Sequence, residues 1–149
     1  MVKKYVFGTP IETDAVVKEI KETSWKDDIF QKEGNVFHYL LKTDEIVYGL
    51  GENVRGINKR GWRYVSNCSD NPNHCEHTNS LYGAHNFIMM GDGVSETYGL
   101  FVDTPGTVTF DVGYTDIDRL IIAMENENYK IYLIEGQTYQ DVVREFREM

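Results

Sequence analysis

Between Asn67 and Thr78 the chain reads NCSDNPNHCEHT, which gathers Cys68, Asp70, His74, Cys75, Glu76 and His77 in one short stretch. Thiols, imidazoles and carboxylates at this density are the donor set of a zinc site. Their spacing does not suit one. A Cys-x6-Cys separation, with neither CxxC nor HxxxH, lacks the closely paired ligands that common structural sites use. No metal is expected, and the stretch reads as a polar surface loop. Ser66 or Ser69 with His74 or His77 would supply two members of a nucleophilic triad, but no nucleophile elbow or oxyanion-hole sequence accompanies them. Carboxylates abound in this acidic chain, so spacing singles out no pair for acid–base work.

Just upstream, residues 48–64 read YGLGENVRGINKRGWRY, with four glycines and three arginines in seventeen residues. Gly51-x4-Gly56 has the spacing of a phosphate loop, yet Ile57-Asn58 stands where the lysine and the magnesium-binding hydroxyl must follow. Gly49-x-Gly51 leads to Val54 where a dinucleotide fingerprint needs its third glycine. Phosphate binding is therefore not indicated. The glycines read as positions of positive φ in tight turns and bulges. Trp62, Tyr64 and Tyr82 flank the polar loop, and aromatic faces beside Asp, Asn and Arg suit the stacking and hydrogen bonding of sugar rings. Alternating Trp62 and Tyr64 equally suit a strand facing a core, and on residue chemistry alone that is the stronger reading.

The elements that would carry these residues are mainly β. Candidate strands are DIFQKE, NVFHYLLK, EIVYGLG, GWRYVSN, HNFIMMG, ETYGLFVDT, TVTFDVGY, RLIIAME and YKIYLIEG. Turn signals such as Glu33-Gly34-Asn35, Gly91-Asp92-Gly93 and Thr104-Pro105-Gly106 separate several of them. Many short strands with frequent turns favour a sandwich over a parallel sheet. Two segments read as helices. TPIETDAVVKEIKET has Thr9 as N-cap, Pro10 at N1, Glu12 completing a capping box, and a stripe of Ile11, Ala15, Val16 and Ile20. TYQDVVREFREM has Thr138 as cap and Asp141 at N3, with Tyr139, Val142, Val143 and Phe146 on one face.

The chain has 149 residues, the size of one domain with room for a proper core. Acidic residues outnumber basic ones, 24 to 15, for a net charge of -9, which argues against nucleic acid as a partner. No segment approaches the roughly 20 apolar residues of a membrane span. MVKKYVFGTPIE lacks the apolar run of a signal peptide, so a cytoplasmic setting is expected, with Cys68 and Cys75 as reduced thiols. In that setting the sequon Asn67-Cys68-Ser69 is a chance match. The last helix pattern reaches Met149 without a stop signal, and the expectation is a reading frame that continues into another domain.

The order of segments adds a further indication. YGLGE at 48–52, GINKRG at 56–61, Asp70, LYGAHNF at 81–87, YGLFVD at 98–103 and IYLIEG before a helix follow one another in register. In this the chain resembles the N-terminal β-sandwich domain of glycoside hydrolase family 31, the α-glucosidase and α-xylosidase family, over roughly residues 28 to 149. The resemblance implies a galactose-mutarotase-like supersandwich with a C-terminal connecting helix, to which the residue pattern adds the short N-terminal helix. It implies that 1–149 is a single N-terminal domain packed on a (β/α)8 catalytic barrel that this stretch lacks. It also implies that the glycine–arginine stretch shapes a hairpin and loop reaching over the barrel's substrate pocket, where Asp70 hydrogen-bonds the hydroxyls of an α-glucoside or oligosaccharide. Two positions depart from the family pattern: Asn67 stands where an aromatic is usual, and Asn86-Phe87 where many members have Pro-Phe.

The family's chemistry is retaining α-glycoside hydrolysis by two aspartates of the barrel. The resemblance thus implies that no residue of this chain is catalytic, that no cofactor is needed, and that the chain alone does not hydrolyse glycosides. An independent carbohydrate-binding module and a metal-stabilised interaction domain built on the Cys/His loop are the competing readings.

Overall fold

The computed structural model describes residues 1–51, 56–66 and 85–149. Ten strands form two five-stranded antiparallel sheets packed face to face, followed by one helix. In chain order the strands are β1 (Val2–Phe7), β2 (Gln31–Glu33), β3 (Val36–Leu40), β4 (Tyr48–Gly49), β5 (Trp62–Ser66), β6 (Phe87–Gly91), β7 (Thr97–Asp103), β8 (Val108–Val112), β9 (Arg119–Met124) and β10 (Tyr129–Gly136). Helix α1 spans Tyr139–Glu148. One sheet has the order β1-β10-β7-β6-β4 and the other β2-β3-β9-β8-β5. Among the described residues no helix is long and apolar enough to cross a membrane.

Period-two alternation sets the faces. On β8, Val108, Phe110 and Val112 are wholly buried and meet Leu120, Ile122 and Met124 of β9 across the ladder. Between them, Asp111 turns to the other side and accepts hydrogen bonds from the Tyr114 and Thr115 amides at 3.0 Å each, capping the turn into β9. Strand β10 is apolar at nearly every position because it is covered on both faces. Tyr129, Ile131 and Leu133 enter the core between the sheets, whereas Tyr132 and Ile134 face outward into a second cluster under α1.

Helix α1 begins as its sequence indicates. The Thr138 hydroxyl accepts from the Asp141 amide at 3.1 Å, and the Asp141 carboxylate accepts from the Thr138 amide at 3.1 Å. This reciprocal capping box satisfies two of the helix's free amides. Val142 then sits on Gly99 and Gly136, and Phe146 stacks on Phe87 at 3.9 Å between ring centroids. The absence of side chains at those glycines lets α1 lie close on the sheet.

The helix expected over TPIETDAVVKEIKET does not form; the segment runs non-helically along the outer face of the first sheet. Its polar groups are taken up by distant partners. The Thr9 amide donates to Asn128 Oδ1 at 2.9 Å, Thr13 Oγ1 lies 2.8 Å from both carboxylate oxygens of Asp103, and Glu12 pairs with Lys130 at 2.9 Å. The Val17 and Lys18 amides both donate to the Met149 carbonyl at 2.8 Å. A helix rises only about 1.5 Å per residue and would draw these anchor points together. Val16 and Ile20 do pack on the outer cluster, but Ile11 and Ala15 are exposed, so the apparent helical stripe has no single buried face. Tertiary contacts override local propensity here. Strand β1, which the basic start MVKKYVF does not advertise, is held by a six-residue antiparallel register with β10.

Candidate functional site

Asp70 and its neighbours Cys68, Ser69, His74, Cys75, Glu76, His77 and Tyr82 lie outside the described residues, as does Arg55. The structure describes the two roots of the connection that carries them. One is Ser66, the end of the edge strand β5. The other is Asn86, which leads into β6 of the opposite sheet. Ser66 and Asn86 thus adjoin strands of opposite sheets.

Both roots are anchored. On β5, Tyr64 is buried against Phe110 of β8, and its hydroxyl donates to the Lys59 carbonyl at 3.1 Å. Trp62 packs half-buried on the same core. These two aromatics are core residues, not a sugar platform. At the second root the Val102 amide donates to the Asn86 carbonyl at 2.9 Å, and the Leu50 amide donates to the Phe87 carbonyl at 2.9 Å. The Phe87 ring is clamped between sheet and helix by Phe146. Asn86 Oδ1 is buried without a hydrogen-bond partner among the described residues, an unusual arrangement for a buried amide oxygen.

The glycine–arginine stretch supplies scaffold. Gly49, Gly51 and Gly61 all have positive φ, and a Cβ on Gly49 would lie 2.2 Å from the Phe87 carbonyl oxygen. Leu50 between them also adopts φ 70, a strained state for a branched side chain that its burial and its amide bond to Phe87 sustain. In GINKRG, Asn58 Oδ1 accepts from the Val47 and Arg60 amides at 3.3 Å each. Lys59 is buried and donates to the Gly56 carbonyl at 2.7 Å. The Arg60 guanidinium donates to the carbonyls of Lys42, Thr43, Glu45 and Ile117 at 2.7, 3.2, 2.9 and 3.2 Å. Its planar fork is thus spent on tying loop 42–47 to the β8–β9 turn. Arg63 lies over the Tyr114 ring at 6.0 Å. Lys59 and Arg60 of this stretch donate to backbone carbonyls, a role that the residue pattern did not indicate.

Next to this scaffold, Tyr139 of α1 donates to the Gly91 carbonyl at 2.9 Å and reaches the Ile46 carbonyl at 3.3 Å, and burial pushes its phenol up to about 12. The outward side of α1, with Tyr139, Val143, Arg144 and Arg147, lines an open concavity of ≈ 670 Å³. Among the described residues no three His, Cys, Asp or Glu side chains gather so as to hold a metal. What the described residues provide is an anchored backbone at both Ser66 and Asn86.

Comparison with known proteins gives this base its context. Residues 8–111 match the family described as the glycosyl hydrolase 31 N-terminal galactose mutarotase-like domain. An alpha-glucosidase of Saccharolobus solfataricus is 30% identical over 110 residues, 73% of this chain and 16% of the relative. Alpha-xylosidase XylQ of Lactiplantibacillus pentosus is 30% identical over 108 residues, 71% of this chain and 13% of the relative. Among solved structures, the cycloalternan-degrading enzyme from Trueperella pyogenes in complex with isomaltose superposes with a TM-score of 0.69 at 20% identity, over 80% of this chain and 20% of that one. The GH31 dextranase of Flavobacterium johnsoniae superposes with a TM-score of 0.65 at 23% identity, over 82% of this chain and 15% of that one. The chain thus spans about a sixth or less of the curated relatives it matches. With its two-sheet sandwich and a match that runs through most of both sheets, the chain belongs to the family of glycosyl hydrolase 31 N-terminal galactose mutarotase-like domains.

Proposed function

We propose that this chain is the non-catalytic N-terminal domain of a cytoplasmic retaining α-glucosidase. It packs on a (β/α)8 barrel that carries both catalytic aspartates, and it lends the loop after β5 to the rim of the barrel's substrate pocket. Asp70 is the residue of that loop that binds substrate, its carboxylate accepting hydrogen bonds from sugar hydroxyls. The family match over residues 8–111 carries the reading. The anchoring of both loop roots supports it, because a binding carboxylate needs a base that does not yield when substrate arrives.

Replacing Asp70 by Ala in the full-length enzyme tests the proposal. Charge-assisted hydrogen bonds are each worth about 1.5–3 kcal/mol. At about 1.36 kcal/mol per decade, kcat/KM on an α-glucoside falls roughly 10- to 100-fold while the melting temperature stays near the parent's. Unchanged kcat/KM, or a loss that only follows a lowered melting temperature, refutes the role of Asp70. Tight oligosaccharide binding by the 149 residues alone would instead make the chain an independent carbohydrate-binding module.

A further inference from the structure

Loop 42–47 contains a carboxyl group buried in the interior. Glu45 is 3% exposed. Its Oε1 accepts a hydrogen bond from the Tyr39 hydroxyl at 3.0 Å, and its Oε2 is buried with no partner among the described residues. No cation touches either oxygen among the described residues. Lys42 instead pairs with Glu96 at 3.1 Å, and Arg60 spends its guanidinium on backbone carbonyls. Facing the carboxyl are Tyr39 of β3, Lys42 of its own loop, Arg60 of GINKRG and Tyr139 of α1. Asp44 and Asp92 border the adjoining cleft. An ionised carboxylate in this place would leave a charged oxygen unpaired in the interior, which costs far more than an unpaired neutral group.

The same loop joins three parts of the fold. Arg60 holds its Lys42, Thr43 and Glu45 carbonyls, Asn58 and Lys59 bond Val47, and the Ile46 carbonyl accepts from Tyr139 of α1. We propose that Glu45 is a proton-operated latch: in its neutral form it seats loop 42–47 in the end of the sandwich, and its ionisation releases the loop from Arg60 and from helix α1. Burial holds the Glu45 carboxyl above the usual range, against opposing pulls from the Tyr39 hydroxyl, the Lys42 amide and the charges of Lys42 and Arg60.

The sign follows from linkage. A group that keeps its proton more tightly when folded loses stability as pH rises from its unfolded value to its folded one, and loses no more above that. Glu45→Gln keeps the shape and abolishes the titration. The 149-residue chain and this variant are compared by urea denaturation and by hydrogen exchange of the 42–47 amides, corrected for intrinsic rates. As pH rises above about 4.3, the ordinary glutamate value, the parent's unfolding constant climbs relative to the variant's by up to tenfold per pH unit, then levels. Protection of the 42–47 amides falls with it in the parent alone. Parallel profiles for the two proteins overturn the latch. If Glu45→Gln does not fold, the parent alone decides by infrared spectroscopy one pH unit above the ordinary glutamate value. A surviving protonated-carboxyl band in the folded protein, lost on unfolding, supports the latch, and its absence overturns it.

Discussion

Gly99 of β7 lies under α1, where a Cβ would stand 2.5 Å from Val142 Cγ1 and 3.1 Å from Phe87 Cε2. Carbon atoms rest at about 3.5–4.0 Å, so Gly99→Ala asks Val142 to move by roughly 1 Å. Val142 cannot easily oblige. It is wholly buried, and a valine in a helix has essentially one side-chain rotamer. The helix must lift instead, loosening the Phe146–Phe87 stack. Overpacking of this kind costs about 2–3 kcal/mol. Exchanging glycine for alanine in a strand returns about 0.5–1 kcal/mol of backbone entropy. The net expectation for Gly99→Ala is a loss of about 2 kcal/mol in urea denaturation with an unchanged slope. Val142→Ala, which removes two buried carbons, costs about 2 kcal/mol through transfer and cavity terms. In the double variant the new methyl fills part of the vacated space, so the pair costs about 1–2 kcal/mol where additivity demands about 4. Agreement of the double variant with the sum within about 0.5 kcal/mol would refute the contact, as would a neutral Gly99→Ala.

Thr138→Ala removes the hydroxyl that accepts from the Asp141 amide and weakens the reciprocal bond. It should cost about 1 kcal/mol and speed hydrogen exchange in the first turn of α1, whereas a neutral result would mean the helix is held by packing alone. Asp92 accepts from the Glu96, Ser95 and Val94 amides and from the Ser95 hydroxyl, which hold its carboxyl far below the usual range. A carboxyl with a lowered folded value stabilises above its unfolded pKa and loses that contribution as pH falls below it. The melting temperature of Asp92→Asn should therefore lie below the parent's at neutral pH, with the gap closing below about pH 4; a gap independent of pH would count against the cap.

Much of the sandwich is legible in the order of residues. The nine candidate strands from DIFQKE to YKIYLIEG coincide with nine of the ten strands among the described residues, and alternation in TVTFDVGY and RLIIAME sets their faces because successive side chains of a strand point to opposite sides. The start of α1 is equally local, since Thr138 and Asp141 meet within one turn. The glycines of YGLG announce positive φ for the same reason. What the sequence cannot determine is where a segment's polar groups find distant partners. TPIETDAVV carries every local sign of a helix start, yet Thr13 goes to Asp103 and Glu12 to Lys130, about a hundred residues away in the chain. Lys3 and Lys4 hide β1 until β10 pairs with it. Arg60 in GINKRG looks available for a ligand until folding sets four carbonyls around its guanidinium. Glu45 looks like any surface acid until Tyr39 and the loop around it close off the water. Local periodicity and capping act within a turn or a strand and so can be read in order, whereas burial and charge pairing depend on which surfaces meet, and only the folded chain decides that.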